Sequence, residues 1–223
     1  MKKIKIFDVV FTNEIEGYEI EAFRGAIAKL VGFENTFFHN HISDTKVAYS
    51  YPLIQYKTNK RQAGFSFIAQ GVEEAKSFFT SKNWEISISG RKMKLEIDTM
   101  HLRNAYLDVA NEISKYKIQK WMPLNQENFK KYIGLKSPLE KVEMLESILK
   151  GNILSMGKSL DWKIKNQIKM SIQEVFDEKK IVFKKNSVIT LDLMFESNAI
   201  LPSNIGLGKG VSHGFGIIER IGD

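Results

Sequence analysis

Apolar and polar residues alternate from the first positions of the chain. In residues 3–11, Ile4, Ile6 and Val10 alternate with polar neighbours, while Phe7 and Val9 make the other face apolar as well. A period of two with apolar residues on both faces predicts a buried strand. The period changes over 18–31, where Ile20, Phe23, Ile27, Leu30 and Val31 recur at helical spacing and Gly32 supplies a stop. That predicts a helix. Residues 33–44 follow neither period. Val, Tyr and Ile enrich 46–57, Thr58-Asn59-Lys60-Arg61 makes a turn, and 62–70 puts Phe65, Phe67 and Ala69 on one face. Two paired strands are expected there, then a helix over 72–82, then a hairpin of 84–88 with 93–97 around Gly90. The order strand, helix, strand, strand, helix, strand is ferredoxin-like: an antiparallel sheet with helices on one face.

The second half is less regular. Residues 106–122 read as one or two extended segments marked by Tyr116, Ile118 and Trp121, and Pro123 ends them. A short helix is expected over 125–132. Ser137, Pro138 and Glu140 open a longer one, with Val142, Leu145, Ile148, Leu149 and Ile153 on its core face. Serine at the cap and proline in the first turn suit a helix start. Three strands are expected at 168–175, 179–184 and 188–195, and a last one at 215–221. The pattern predicts an α+β chain of two tandem ferredoxin-like units. The first is 1–105. The second, 106–223, is distorted by a helical insert.

Between the last two strands lies Gly206-Leu207-Gly208-Lys209-Gly210-Val211-Ser212-His213-Gly214-Phe215-Gly216, in which five of eleven residues are glycine. Glycine admits left-handed backbone and lets a ligand approach peptide N–H groups. A run of such groups cradles anions. Lys209 adds a charge, and Ser212 and His213 add hydrogen-bonding groups. The stretch is neither a P-loop nor a dinucleotide fingerprint, because no Gly-Lys-Ser/Thr closes it and a strand rather than a helix follows.

Composition narrows the partners. The chain of 223 residues carries a net charge of +7, with a pI near 9.3, which favours an anionic partner such as nucleic acid. Cysteine is absent, which excludes disulfide and thiolate chemistry and suits the cytoplasm. No apolar run of about 18 residues predicts a membrane span, and the charged, alternating start is unlike a signal peptide.

Candidate chemistry centres on His39 and His41. Four histidines occur in the chain, and these two are spaced i, i+2, which puts both imidazoles on one face of an extended segment. Two imidazoles can divide general-base and general-acid roles near neutral pH. A pair of surface or capping histidines is the alternative. A metal site is not expected, because Glu34 and Asp44 are the only carboxylates nearby. Lys29 on the first helix, and Lys46, Tyr49 and Tyr51 just downstream, are placed to serve a phosphate. A lysine stabilises the added charge of a pentacoordinate phosphorus, and a tyrosine donates a hydrogen bond or stacks on a base. His101 and Arg103, the basic turns Lys57-Lys60-Arg61 and Lys184-Lys185, and the stripe Lys115, Lys117 and Lys120 interleaved with Tyr116 and Trp121 are candidate phosphate contacts.

These features together resemble the repeat-RNA endoribonuclease family of CRISPR systems, the Cas six family, within the RAMP superfamily of tandem ferredoxin-like RNA-binding proteins. The resemblance rests on the glycine loop ending in Gly-Phe-Gly before a strand, and on Phe23-Arg24-Gly25-Ala26-Ile27 followed by histidine in the next loop. Length and strand order add to it, and His39-Asn40-His41 is similar to the branch with a His-x-His pair. It implies a metal- and cofactor-free endoribonuclease that cuts precursor CRISPR RNA within repeats. The 2′-hydroxyl attacks the adjacent phosphate and leaves a 2′,3′-cyclic phosphate and a 5′-hydroxyl. One of His39 and His41 then acts as base and the other as acid, Lys29 or Lys46 stabilises the phosphorane and Tyr49 positions it. Gly206, Gly208, Lys209, Gly210, Ser212, His213, Gly214 and Gly216 hold RNA. Repeat RNA is the implied partner, with other CRISPR effector-complex subunits and a second copy of the chain as further partners. The alternative within the superfamily is a non-catalytic RNA-binding subunit. A two-histidine phosphoesterase needs two His-x-Thr/Ser motifs, and only His41-Ile42-Ser43 matches. A DNA-binding regulator predicts a helix-turn-helix, which the sequence lacks.

Overall fold

The computed structural model describes residues 1–38, 41–43, 46–47, 51–81 and 83–222; for 41–43 and 46–47 the description is of the backbone alone. The chain folds as two compact units. One comprises Lys3–Ala105 with Ser212–Gly214; the other comprises Met1–Lys2, Tyr106–Val211 and Phe215–Asp223.

The N-terminal unit begins with β1 (Lys2–Glu14) and α1 (Ile20–Val31), followed by the short pair β2 (His41–Ser43) and β3 (Lys46–Val47), then β4 (Ile54–Asn59) and β5 (Gln62–Ile68). α2 (Ala75–Phe79), the hairpin β6 (Glu85–Ile88) and β7 (Arg91–Lys94), and the start of β8 (Ile97–Trp121) complete it. The sheet order is β4-β5-β1-β8. β1 and β5 pair antiparallel with Val9 opposite Phe65 and Phe7 opposite Phe67. That register gathers aromatic rings on the face covered by α1. Phe65 is fully buried and meets Phe11, Phe23, Tyr56, Phe67 and Phe78 at centroid distances of 5.1 to 6.3 Å. Each such side chain contributes about 1.5–3 kcal/mol of burial, and favourable ring geometry adds about 0.5–1.5 kcal/mol per pair. α1 buries Ile20, Phe23 and Ile27 against this cluster. It stops at Gly32, whose φ of 105° suits glycine and whose N–H donates to the Ala28 carbonyl at 3.0 Å.

Several expected boundaries move. Of the strand expected over 46–57, the described residues give β3 and β4; Pro52, just before β4, has no N–H to give a ladder. The helix expected over 72–82 is a 3₁₀ turn (Ala69–Glu74) leading into the five residues of α2. There Gly71 packs so closely that a Cβ would lie 2.7 Å from the Leu53 carbonyl oxygen. The hairpin turns through Ser89 and Gly90, both at positive φ, the geometry of a tight primed turn.

In the C-terminal unit, β8 is one strand of 25 residues where separate segments were expected; no Gly or Pro interrupts 97–121. It is followed by α3 (Gln126–Gly134), α4 (Pro138–Ser159), β9 (Met170–Phe183), β10 (Asn186–Ile200) and β11 (Ile217–Ile221). β9 likewise fuses two expected strands. It pairs with β10 through a turn at Lys184-Lys185, both at positive φ. β10 and β11 flank β8. α4 opens with Pro138 behind Ser137 as expected, although the serine side chain makes no cap hydrogen bond. The buried Tyr116 hydroxyl ties β8 to β10: it donates to the Ala199 carbonyl at 2.9 Å and accepts from the Leu201 N–H at 3.0 Å. The mixed fold of antiparallel sheets and helices is of the α+β, ferredoxin-like kind that the pattern predicts. Among the described residues no helix is long and apolar enough to cross a membrane.

Candidate nucleic-acid interface

The glycine loop is a packed structure. The Leu207 N–H donates to the Gly216 carbonyl at 2.9 Å, and the Gly216 N–H donates to the Lys120 carbonyl at 3.2 Å. Gly216 has φ +67°, and a Cβ on it would lie 2.0 Å from the Leu207 oxygen. Gly210 has φ +70°, with the Met122 methyl 2.1 Å from where its Cβ would be. Gly216 needs glycine for both dihedral and space, and Gly210 for its dihedral. Leu207 and Val211 are buried, while Lys209 between them is exposed.

The loop tip, Ser212–Gly214, belongs to the N-terminal unit. His213 is only 6% exposed. Its Nε2 lies 3.3 Å from Arg24 Nη1 on α1, and its Nδ1 lies 3.1 Å from Ser212 Oγ. A guanidinium only donates, so Nε2 accepts and the ring proton sits on Nδ1, which donates to Ser212. Burial lowers the Arg24 pKa, and the nearby Tyr56 and Glu21 oppose it; the net shift is downward from its ordinary value. Gly214, at φ +77°, leaves no room for a Cβ beside Ile20 Cδ1 at 2.9 Å. The tip is therefore seated on α1 and β4.

A second polar cluster spans the sheet of this unit. Asp8 on β1 receives hydrogen bonds from Lys57 on β4 at 3.1 Å, from Ser66 on β5, and from Arg103 on β8 at 3.4 Å. Burial raises the Asp8 pKa, but Lys57, the Ser66 hydroxyl and Arg103 more than offset it, so the carboxyl is held below its ordinary value. Burial lowers the Lys57 pKa, and the Asp8 charge only partly restores it.

The sequence-predicted residues fall as follows. His39 and Tyr49 lie outside the described residues. His41 and Lys46 sit on β2 and β3, whose backbones pair His41 with Val47 and Ser43 with Lys46; their side chains lie outside the description. Lys29 is exposed on α1 and borders a groove against β6. In the C-terminal unit, Lys115 pairs with Glu196 at 3.5 Å. Lys117 lies over the Phe176 ring at 5.8 Å. Lys120 is at positive φ and donates its backbone N–H to Asp192 at 2.6 Å. The residue that sequence reasoning passed over is Arg24. It lies inside the Phe23-Arg24-Gly25 motif, but nothing local points to a partner 189 residues away. Among the described residues no cluster of three or more metal-ligating side chains forms.

Comparison with known proteins covers the whole chain. Residues 2–106 match the model of the Cas6b N-terminal domain, and residues 108–221 match the Cas6b C-terminal domain. An uncharacterized protein of Methanocaldococcus jannaschii is 34% identical over 145 residues, 61% of this chain and 97% of that protein. A crystal structure of Cas6b superposes with a TM-score of 0.86 at 27% identity, covering 99% of this chain and all of the other. A second, described as the CRISPR RNA processing endoribonuclease Cas6b, gives 0.74 at 24% identity with the same coverage. With each half matched to its own domain model, the chain belongs to the Cas6b family.

Proposed function

We propose that this protein is an endoribonuclease that cuts precursor CRISPR RNA within its repeats. The observation that carries the reading is membership of the Cas6b family along both halves of the chain, together with the His39-Asn40-His41 pair in the N-terminal half. One solved relative of the same fold is described as a CRISPR RNA processing endoribonuclease.

In the proposed reaction one imidazole of His39 and His41 removes the 2′-hydroxyl proton. The 2′-oxygen forms a bond to the adjacent phosphorus, and the bond from phosphorus to the 5′-oxygen breaks. The other imidazole gives its proton to that leaving oxygen. The products are a 2′,3′-cyclic phosphate and a 5′-hydroxyl. Lys29 or Lys46 balances the extra negative charge on phosphorus, and Tyr49 orients it. Two imidazoles supply both proton transfers, so the scheme calls for no metal ion. Lys209 and the glycine loop hold the RNA backbone, with Arg24 and His213 fixing the tip of that loop. Lys117 and Lys120 add charge from β8; Lys115 adds less, because Glu196 already meets it.

Single-turnover cutting of repeat RNA tests the reading. His39→Ala and His41→Ala should each slow cleavage by about 10²- to 10⁴-fold, the usual contribution of a general acid or base, with RNA binding nearly intact. The double variant should be slower than either but not by the product. A 2′-deoxy nucleotide at the cut should abolish reaction, and EDTA should leave the rate unchanged. Wild-type rates in both histidine variants would place the chemistry elsewhere.

A further inference from the structure

α1 and the β6–β7 hairpin of the N-terminal unit leave a groove of about 570 Å³. Ala26 and Leu30 form its apolar wall, and Lys29, Lys92, Asn83 and Glu85 its polar one. The spacing explains the arrangement. Ala26, Lys29 and Leu30 share one helical face. The hairpin register sets Ser87 opposite Lys92 and Glu85 opposite Lys94, so these charges share the face turned away from buried Ile86 and Ile88. Among the described residues neither Lys29 nor Lys92 is in an ion pair. Glu85 and Asn83 brace one another: the Asn83 amide donates to Glu85 Oε2 at 3.3 Å, and the Glu85 N–H donates to Asn83 Oδ1 at 3.2 Å.

We propose that this groove is a subsite for one unpaired RNA nucleotide, with phosphate on Lys29 and Lys92, which leaves Lys46 to the scissile phosphorus, and with the base on Ala26 and Leu30, and that Glu85 selects against uracil. The proposal rests on the reading of the chain as an RNA-cutting enzyme. A volume in this range is ordinary for a small-molecule site, and two ammonium groups against one carboxylate leave the groove net positive, as a phosphate requires. Uracil presents carbonyl, N–H and carbonyl along its pairing edge, so its oxygens face a carboxylate unfavourably. Cytosine, adenine and guanine each carry an exocyclic amine that donates to one. Specific contacts of this kind separate bases by about fivefold or more.

The test uses the full chain and short labelled single-stranded RNAs of one base each, read by fluorescence anisotropy over a salt series, beside single-turnover cutting of repeat RNA. Wild type should bind adenine or cytosine oligomers at least about fivefold tighter than uracil ones. Glu85→Gln should bring the uracil oligomer level with the others. Lys92→Ala should weaken all of them and lower the salt slope by about 0.7, whereas Lys180→Ala, on β9 and not among the residues lining the groove, should leave base preference unchanged. If wild type binds and cuts repeat RNA while Glu85→Gln keeps the base preference and Lys92→Ala behaves as Lys180→Ala, the groove is not a nucleotide subsite and the enzyme reading stands. If wild type neither binds nor cuts RNA, the enzyme reading falls and takes the subsite with it.

Discussion

Arg24 acts at a distance that its own neighbourhood in the sequence does not reveal. It lies on a helix whose apolar face is easily read from Ile20, Phe23 and Ile27, and it looks there like a solvated polar residue. Its guanidinium instead reaches His213, and the hydrogen bond fixes both the tautomer of that ring and the seat of the loop tip. Replacing Arg24 by Met keeps much of its apolar stem and removes the donor. A hydrogen bond to a charged group is worth about 1.5–3 kcal/mol, so amide exchange at 212–214 should speed up by about tenfold or more, while amides under Phe65 keep their protection. Unchanged exchange at the tip would show that His213 is held by something else. The histidine pair is the opposite case. His39 and His41 are proposed from spacing alone, because i, i+2 has a meaning in any extended segment. The pairing of Arg24 with His213 was not, because it depends on a fold that closes the end of the chain onto its beginning.

Elements were legible in kind and less so in extent. Periodicity found α1 and α4, which each bury one helical face, and apolar runs found β1 and β5, which are buried on both faces. Periodicity divided β8 and β9, since long strands with mixed exposure lose their alternation: β8 runs exposed through 98–102, then buries Leu107, Tyr116 and Ile118. The glycine loop was legible as a place of unusual backbone. Its expected purpose is open N–H groups; what its geometry shows is close packing. Close packing can be separated from glycine's general permissiveness. Gly216→Ala forces a Cβ onto the Leu207 oxygen at a left-handed φ, and should cost about 2–5 kcal/mol from strain and overpacking together. Gly25→Ala, inside α1 with nothing within 4 Å of the new Cβ, should stabilise by about 0.5–1 kcal/mol. Chemical denaturation of both variants checks the contrast. Equal effects would mean that the loop adapts and its glycines are not held by packing.

The charge of the whole molecule, +7, says that an anion is welcome but not where it sits, and the ion pairs decide that. Lys115 is already met by Glu196, Lys131 by Glu127, and Lys57 by Asp8, so these three lysines already have partners within the chain. Lys209 is exposed in the loop and, among the described residues, makes no ion pair. For single-stranded RNA each phosphate neutralised adds about 0.7 to the slope of log affinity against log salt. A lysine that must first give up a carboxylate gains less, since the attraction it loses offsets the one it makes. Binding of repeat RNA should therefore weaken steeply with salt. Lys209→Ala should lower the slope by about 0.7, and Lys115→Ala should lower it by much less. Titrations at several salt concentrations measure both. If the two variants change the slope equally, the pairing of Lys115 with Glu196 does not persist in the complex, and the β8 stripe joins the loop as a full phosphate contact.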